Sequence, residues 1–387
     1  MSGKITILGL GGAGCRIIRR LAADAERFPD LRLLAVDTDE RSLAETGLPE
    51  ENRLLAGSNW RNGRGCSGNE IDGQRAMAKE RPVLERLLAD SEVLMVLGGL
   101  GRGTATGGMM VLPSLVAKLK IPSVFLLTLP FSMEGHTIRR RAEQVLNDDV
   151  FPVAEAVAVI PNDLLFSTLE ASTSLEKAFD LADTEMARTA LALTQVLLAG
   201  NLLNSSFDDL TAVFKRKKNI CGIGIGIAAA DGDPSAVVEQ LLYSPLLGGP
   251  SRLADANAVV LSLLGGPELS LGTGKGILDL ASRQLGENAQ VLVAAATSPQ
   301  WAGQLQLTAL AVKFQEEEAV SRPVARKPRS AVSRGSSSAG DMTQPTLPFT
   351  QMDKGIMVGT IPVSWGAEDL DVPTFQRRNA VIDNGRE

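Results

Sequence analysis

Two glycine-rich loops and a short acidic stretch are the parts of this sequence best suited to chemistry. Gly9, Gly11 and Gly14, within "ITILGLGGAGCRIIRRLA" at residues 5–22, fit G-x-G-x-x-G between an apolar strand and a helix. Glycines at such a junction let a phosphate approach backbone N–H groups at a helix N-terminus. The pattern alone leaves open whose phosphates they are. A dinucleotide site expects an acid on the second strand, roughly 20 residues further on, and "LLAVDTD" offers Asp37 and Asp39. "LGGLGRGTATGG", residues 97–108, is a second loop after another apolar strand, adding N–H donors and the hydroxyls of Thr104 and Thr106. Two such loops on parallel strands of one sheet can grip one polyphosphate from two sides, whereas a dinucleotide needs only the first. The Walker pattern is absent, so the P-loop lysine is missing. A nicotinamide oxidoreductase stays open as an alternative, but no catalytic His or Lys constellation accompanies it.

The elements that must hold these loops are legible as alternation. "KITILGL", "LRLLAVDTD", "EVLMVLGG", "PSVFLLTLP" and "AVAVIPN" read as strands, with helix-like stretches such as "CRIIRRLAADAERF", "MMVLPSLVAKLK" and "RRRAEQVLNDDVF" between them. That order predicts an α/β fold: a parallel sheet with helices on both faces. Residues 174–203 carry helical periodicity with few breakers and read as one long helix. "ICGIGIGIAAA", "ANAVVLSLLGG", "AQVLVAAATS" and "LQLTALAVKF" form a second strand set, with helical segments at 234–242 and 276–285. The expected domains are therefore 1–173, a central helix 174–204, a smaller α+β domain 205–314, and a tail. Residues 315–366 are rich in charge, Ser, Pro and Gly and read as a disordered linker. "EDLDVPTFQRRN", 368–379, reads as a docking peptide that orders on a partner.

Composition agrees with this plan. The 387 residues suffice for two domains and a tail, and 44% are hydrophobic but only 4% aromatic, as a Leu/Val/Ile/Ala core of buried parallel strands requires. A net charge of −6 argues against nucleic acid as a partner. Three cysteines without paired spacing suggest neither a disulfide framework nor a zinc site, and no metal-ligating residues are assigned. With no leader and no apolar run long enough to span a bilayer, a soluble cytoplasmic protein is expected, without direct membrane insertion. Cys15 and Cys66 read as small apolar packing residues, His136 as a loop residue near the site, and "KRKK" at 215–218 as a solvated face.

The order of motifs resembles the tubulin/FtsZ family. "GGLGRGTATGG" resembles its signature loop and "GLGGAGC" its first phosphate loop. "AVDTDERSL", "GRGCSGNEIDG", "LPFSMEG", "IPNDLL", "SLEKAFDLAD", "NSSFDDLTAVF" and "YSPLLGG" follow in the family's order, and "EDLDVPTFQRR" resembles its C-terminal peptide. The resemblance runs over residues 4–314 and returns at 368–378. It implies a tubulin-like GTPase domain joined by a long central helix to a second domain that completes the next subunit's active site. The implied protein binds GTP and GDP with Mg2+, polymerises head to tail with itself, and scaffolds bacterial cell division at mid-cell.

Residue by residue, the resemblance maps Gly11, Gly12, Ala13, Gly101, Arg102, Gly103, Thr104, Ala105, Thr106 and Gly107 to the phosphates. Glu134 and Arg139 fall near the ribose, although the family's arginine aligns more strictly with Ile138. Phe179 and Asp183 match the positions that stack on and hydrogen-bond guanine. The catalytic loop reads Asn204-Ser205-Ser206-Phe207-Asp208-Asp209, with Asn204 and Asp209 matching, Ser206 replacing the first family acid, and Asp208 beside them. Slow turnover is the expectation, with a non-hydrolysing filament as the alternative. Arg102 stands in a usual glycine slot, and Arg16 replaces an asparagine after the first loop. The tail peptide, through Leu370, Val372, Pro373, Phe375 and Arg377, would bind a membrane-tethering division protein.

Overall fold

A computed structural model of the chain describes residues 5–23, 28, 31–197, 207–214, 218–230 and 232–315, together with 364–365 and 368–369. Strands β1 (Ile5–Leu10), β2 (Leu31–Asp37), β3 (Arg53–Leu55), β4 (Val93–Gly99), β5 (Ser123–Leu129) and β6 (Ala156–Pro161) form one sheet in the order β3-β2-β1-β4-β5-β6. All of its pairings are parallel. β1, β5 and β6 are buried at every position, which explains why they read as unbroken apolar runs: helices cover both faces. β3 was not anticipated, being three half-buried residues at the sheet edge with no period to recognise.

The covering helices are α1 (Gly11–Ala22), α2 (Glu40–Ala44), α3 (Ser58–Arg61), α4 (Glu70–Lys79), α5 (Arg81–Leu88), α6 (Thr104–Met109), α7 (Leu112–Leu119) and α8 (His136–Val145). His136, expected in a loop, is the first residue of α8. The long helix is α9 (Leu175–Leu197), 23 residues or about 35 Å at 1.5 Å per residue. Its Ala178, Ala182, Met186, Ala190 and Leu193 recur at helical spacing and are buried. One core cluster joins them to Ile7, Ile17 and Ala158 on the first sheet side and to Ile223, Val260 and Leu310 on the second. Thr189 and Thr194, buried on the same helix, satisfy their hydroxyls on the carbonyls of Glu185 and Ala190, at 2.8 and 2.6 Å.

After α10 (Phe207–Phe214), strands β7 (Asn219–Ala229), β8 (Ala258–Gly265), β9 (Gln290–Thr297) and β10 (Gln304–Phe314) form a mixed sheet in the order β7-β10-β8-β9. Helices α11 (Pro234–Leu242), α12 (Ser251–Ala254) and α13 (Leu271–Ser282) accompany it. Asn219 links the two sheets: its Nδ2 donates to the Val157 carbonyl at 2.7 Å and its Oδ1 accepts the Val159 N–H at 3.3 Å. One side chain thereby satisfies groups on the open edge of β6, which has no strand partner on that side in its own sheet. The tail is a separate unit, in which Ser364–Trp365, expected within the linker, pairs antiparallel with Glu368–Asp369. The remaining linker and the peptide residues Leu370, Val372, Pro373, Phe375 and Arg377 lie outside the described residues, as do Lys215, Arg216 and Lys217.

Glu185 is a buried acid on α9. The Ser244 hydroxyl lies 2.8 Å from its Oε2, and the half-exposed Arg188 donates to Oε1 at 3.4 Å. Burial pushes its carboxyl above the usual range, opposed by the Ser244 hydrogen bond and by Arg188. A raised folded-state pKa means stability that is complete below the ordinary carboxylate value and lost as pH rises through the folded one. Glu185→Gln is therefore expected to raise the melting temperature at pH 7, with the gain shrinking towards pH 4. Melts of both proteins across that range check this; a gain that grows on acidification would contradict it.

Candidate functional site

The strand order reverses between β1 and β4, the switch point at which an open parallel sheet leaves a crevice beyond its C-terminal ends. Both glycine loops leave the sheet there. Gly11 turns the first loop at φ +70°, where a side chain would be strained. Cβ atoms on Gly9 or Gly14 would collide with the facing backbone at 2.5 and 2.7 Å, so these two let β1 and α1 pack closely. No side chain caps α1, and its first turn holds no acid. Its leading N–H groups are thus available to an anion. The second loop runs from β4 into α6, again with neither side-chain cap nor acid in the first turn.

Between the loops opens a cleft of about 750 Å³. Gly11, Gly12, Ala13, Arg102, Gly103, Thr104, Ala105, Glu134, Phe179 and Asp183 all line it. Four residues expected there, Gly101, Thr106, Gly107 and Arg139, do not. Thr106 is fully buried, and its hydroxyl accepts the Gly101 N–H at 2.8 Å, bracing the loop from behind. Gly107 packs α6 against α4, where an added Cβ would stand 2.1 Å from the Glu70 carbonyl oxygen. Arg139 points away, to Glu143 at 2.7 Å, the Pro130 carbonyl at 3.2 Å and Asp163 at 3.3 Å. Ile138, the strict alignment partner, packs behind Gly101.

The acids at the end of β2 and just beyond it accept local hydrogen bonds. Asp37 accepts the Thr38 N–H at 2.7 Å and a hydrogen bond from Thr104, and burial pushes its carboxyl up. Asp39 caps α2 through the N–H groups of Arg41 and Ser42, at 2.9 and 3.4 Å. Both border the cleft, Asp37 buried and Asp39 committed through one oxygen to capping a helix. Thr38 and Thr104 share a hydrogen bond of 2.7 Å, and the buried Cys66 thiol donates to Thr38 at 3.2 Å. Cys15 is likewise buried, its thiol pushed up by burial and by Asp37.

At the far wall, Phe179 meets Phe131 edge-on with ring centroids 5.2 Å apart. Asp183 stands one turn further along α9, its carboxyl pushed up by burial and drawn back by Arg16. Glu134 accepts Arg102 at 2.9 Å and the Phe131 N–H at 3.0 Å. Asn162 was not singled out by sequence, although "IPNDLL" marks its strand end. It lines the cleft, and its buried Oδ1 has no hydrogen-bond partner, an acceptor of the kind that a bound ligand would satisfy. Arg64, Gly65, Ser67 and Gly68 also line the cleft, from the stretch that resembles the family's third loop. Asp208 and Asp209 occupy the exposed first turn of α10 and do not line this chain's cleft. Asn204 and Ser206 lie outside the described residues.

The family model described as "Tubulin/FtsZ family, GTPase domain" matches residues 4–170, and "FtsZ family, C-terminal domain" matches residues 220–315. The chain belongs to the tubulin/FtsZ family. Its relatives include the cell division protein FtsZ 1 of Halobacterium salinarum, 28% identical over 289 residues, or 75% of this chain and 71% of that protein. The cell division protein FtsZ 1 of Archaeoglobus fulgidus is 27% identical over 326 residues, 84% and 86% of the two chains. Among solved structures, an empty FtsZ dimer of M. jannaschii matches with a TM-score of 0.68 and 25% identity, covering 84% of this chain and 95% of that one. The matched N-terminal segment is thus a tubulin/FtsZ GTPase domain, and the family implies binding of GTP or GDP. No helix among the described residues is long and apolar enough to cross a membrane.

Proposed function

We propose that this chain binds and hydrolyses GTP, assembles head to tail into filaments, and serves cell division as its FtsZ relatives' names describe. The observation that carries this reading is the convergence of both glycine loops, Phe179 and the buried Asp183 on one cleft. The phosphates lie against Gly11, Gly12 and Ala13 on one side and Arg102, Gly103, Thr104 and Ala105 on the other. Guanine stacks near Phe179, and its N1 and N2 donors face the Asp183 carboxylate, a donor pair that adenine lacks. Glu134 and the unpaired Asn162 oxygen lie on the ribose side. Among the described residues no cluster of three His, Cys, Asp or Glu could hold a metal by itself. Mg2+ would enter with the nucleotide, neutralising charge on its phosphates and keeping several waters.

The acids of α10 are exposed and outside the lining of their own chain's cleft, which supports their use on a neighbouring subunit. A head-to-tail contact repeats without closing, and it would set Asn204, Asp208 and Asp209 over the next subunit's γ-phosphate. Water oriented by these groups attacks the phosphorus, the bond to the bridging oxygen breaks, and GDP is the leaving group. Positioning and electrostatics carry such a transfer. Ser206, in place of an acid, slows turnover in this reading and favours the alternative of a filament that forms without hydrolysing. The tail peptide would dock a membrane-tethering partner through Leu370, Val372, Pro373, Phe375 and Arg377, holding the filament at the mid-cell division site from the cytoplasm.

The test is GTP hydrolysis against protein concentration, with sedimentation of the same samples. Turnover should rise more steeply than linearly as pelleting begins, and Ser206→Asp should raise it about tenfold or more. Pelleting without turnover would select the non-hydrolysing filament. A rate unchanged in Ser206→Asp would remove the reason for slow hydrolysis, and GTP-independent solubility at all concentrations would refute assembly.

A further inference from the structure

The base side of the cleft contains an occupant from the chain itself. Arg16, in the second turn of α1, donates from Nε to Asp183 Oδ2 at 2.6 Å and from Nη2 to Oδ1 at 3.5 Å. Its Cζ lies 6.0 Å from the centroid of the Phe179 ring. A guanidinium is flat, delocalised and able to offer two parallel N–H donors to a carboxylate. Guanine offers the same pattern through N1 and N2, with a flat face for an aromatic neighbour. The Asp183 carboxylate, 8% exposed, lies almost wholly within the protein and has room for one such fork. Arg16 and guanine therefore compete for one acceptor.

The surroundings favour both the closed pair and its release. One turn along α1, Arg20 bonds the Asp180 carboxylate and, at 3.2 Å, its carbonyl, fastening α1 to α9 beside the first pair. An ionised Asp183 without a partner would be a costly buried charge, and Arg16 compensates it when no base is present. Arg16 itself is 41% exposed along its side chain, so its guanidinium can return to water without crossing the core. Displacement thus exchanges one bidentate donor for another on the same carboxylate.

We propose that Arg16 is a resident guanine mimic that fills the base subsite of the empty protein, and that a guanine nucleotide binds by displacing it. The inference rests on the guanine reading of Asp183 given above. Its consequence is a reduced apparent affinity, because only the fraction of molecules with Arg16 swung out is competent to bind. It also makes Arg16 a determinant of nucleotide affinity and exchange.

The experiment is calorimetric titration of the full-length, nucleotide-free protein with GDP and, as comparator, ADP. Arg16→Asn and Arg16→Ala should each bind GDP about tenfold more tightly than the unaltered chain, with ADP binding unchanged. Asp183→Asn should weaken GDP binding, and the Arg16→Asn change should bring no gain in that background. Should Arg16→Ala fail to fold because Asp183 is left bare, Arg16→Asn carries the same test with an amide donor in place. If the unaltered protein prefers GDP to ADP but the Arg16 variants bind GDP no better, the mimic is refuted and the guanine reading stands. If the unaltered protein does not prefer GDP, both fall.

Discussion

Asp209→Ala is expected to lower GTP turnover about 10²-fold, the scale on which losing a positioned group acts, while leaving GTP binding and pelleting intact. The reasoning is geometric. Asp209 sits on the exposed first turn of α10 and outside its own chain's cleft, so it should not influence nucleotide affinity in a monomer. Its effect should emerge only where two subunits meet. Mixing sharpens the point. A copy carrying Asp209→Ala still offers an intact cleft to the neighbour that supplies an acid, and a copy with a crippled cleft still offers its acid. Co-assembly of Asp209→Ala with Gly11→Val should therefore recover turnover that neither variant shows alone. Equal loss in the mixture, or loss of GTP affinity in Asp209→Ala monomers, would place the acid's role within one subunit.

Gly73→Ala is expected to damage the nucleotide site without touching it. An added Cβ on Gly73 would lie 2.4 Å from the Gly103 carbonyl oxygen, and the reciprocal approach of Gly107 to Glu70 O is 2.1 Å. Helices α4 and α6 thus meet backbone to backbone, and making room pushes α4 away from the second glycine loop or displaces that loop. Overpacking of this kind costs roughly 1–3 kcal/mol. Gly73 does not line the cleft, yet GDP affinity should fall about tenfold, or 1.4 kcal/mol, because the loop's N–H groups are displaced. Gly276→Ala on α13 is the matched control: nothing lies within 4 Å of its Cβ, and it should stabilise by roughly 0.5–1 kcal/mol as a helix-interior glycine replaced by alanine. Chemical denaturation and GDP titration of the two variants check both statements. Unchanged affinity in Gly73→Ala would mean that the loop's position does not depend on this contact.

These cases show which parts of the site were legible in the sequence. A glycine turn between an apolar strand and a helix announces itself locally, and Gly11–Ala13 and Gly103–Ala105, singled out that way, line the cleft. The same local pattern does not distinguish a glycine that faces ligand from one that faces a neighbouring helix. Gly107, Thr106 and Gly101 share a motif with true lining residues, but their partners, at Glu70 and within the loop's own back, are set by tertiary packing. Arg139 was misplaced because a helix position one residue off points to a different neighbour. The Arg16–Asp183 pair spans 167 positions in the chain, and no periodicity connects α1 to α9. Asn162 needed the end of β6 to be located beside β5. The alternation of strands and helices was plain, as was the long helix from its first residues, whereas β3, with three residues, offered no pattern at all. The order of the strands, which makes β1 and β4 neighbours, is likewise absent from any local window.

That neighbourhood has a consequence for how the protein comes into being. During synthesis the first loop leaves the ribosome early, but its counterpart follows β4 (Val93–Gly99), and the wall carrying Phe179 and Asp183 belongs to α9 (Leu175–Leu197). A nascent chain lacking that helix has the glycine fingerprint and no complete pocket. Long-range pairing makes such a fold slow to close, and a ligand stabilises only conformers that can bind it. A nucleotide bound there would act as a late clasp, rewarding only chains whose distant segments have all arrived.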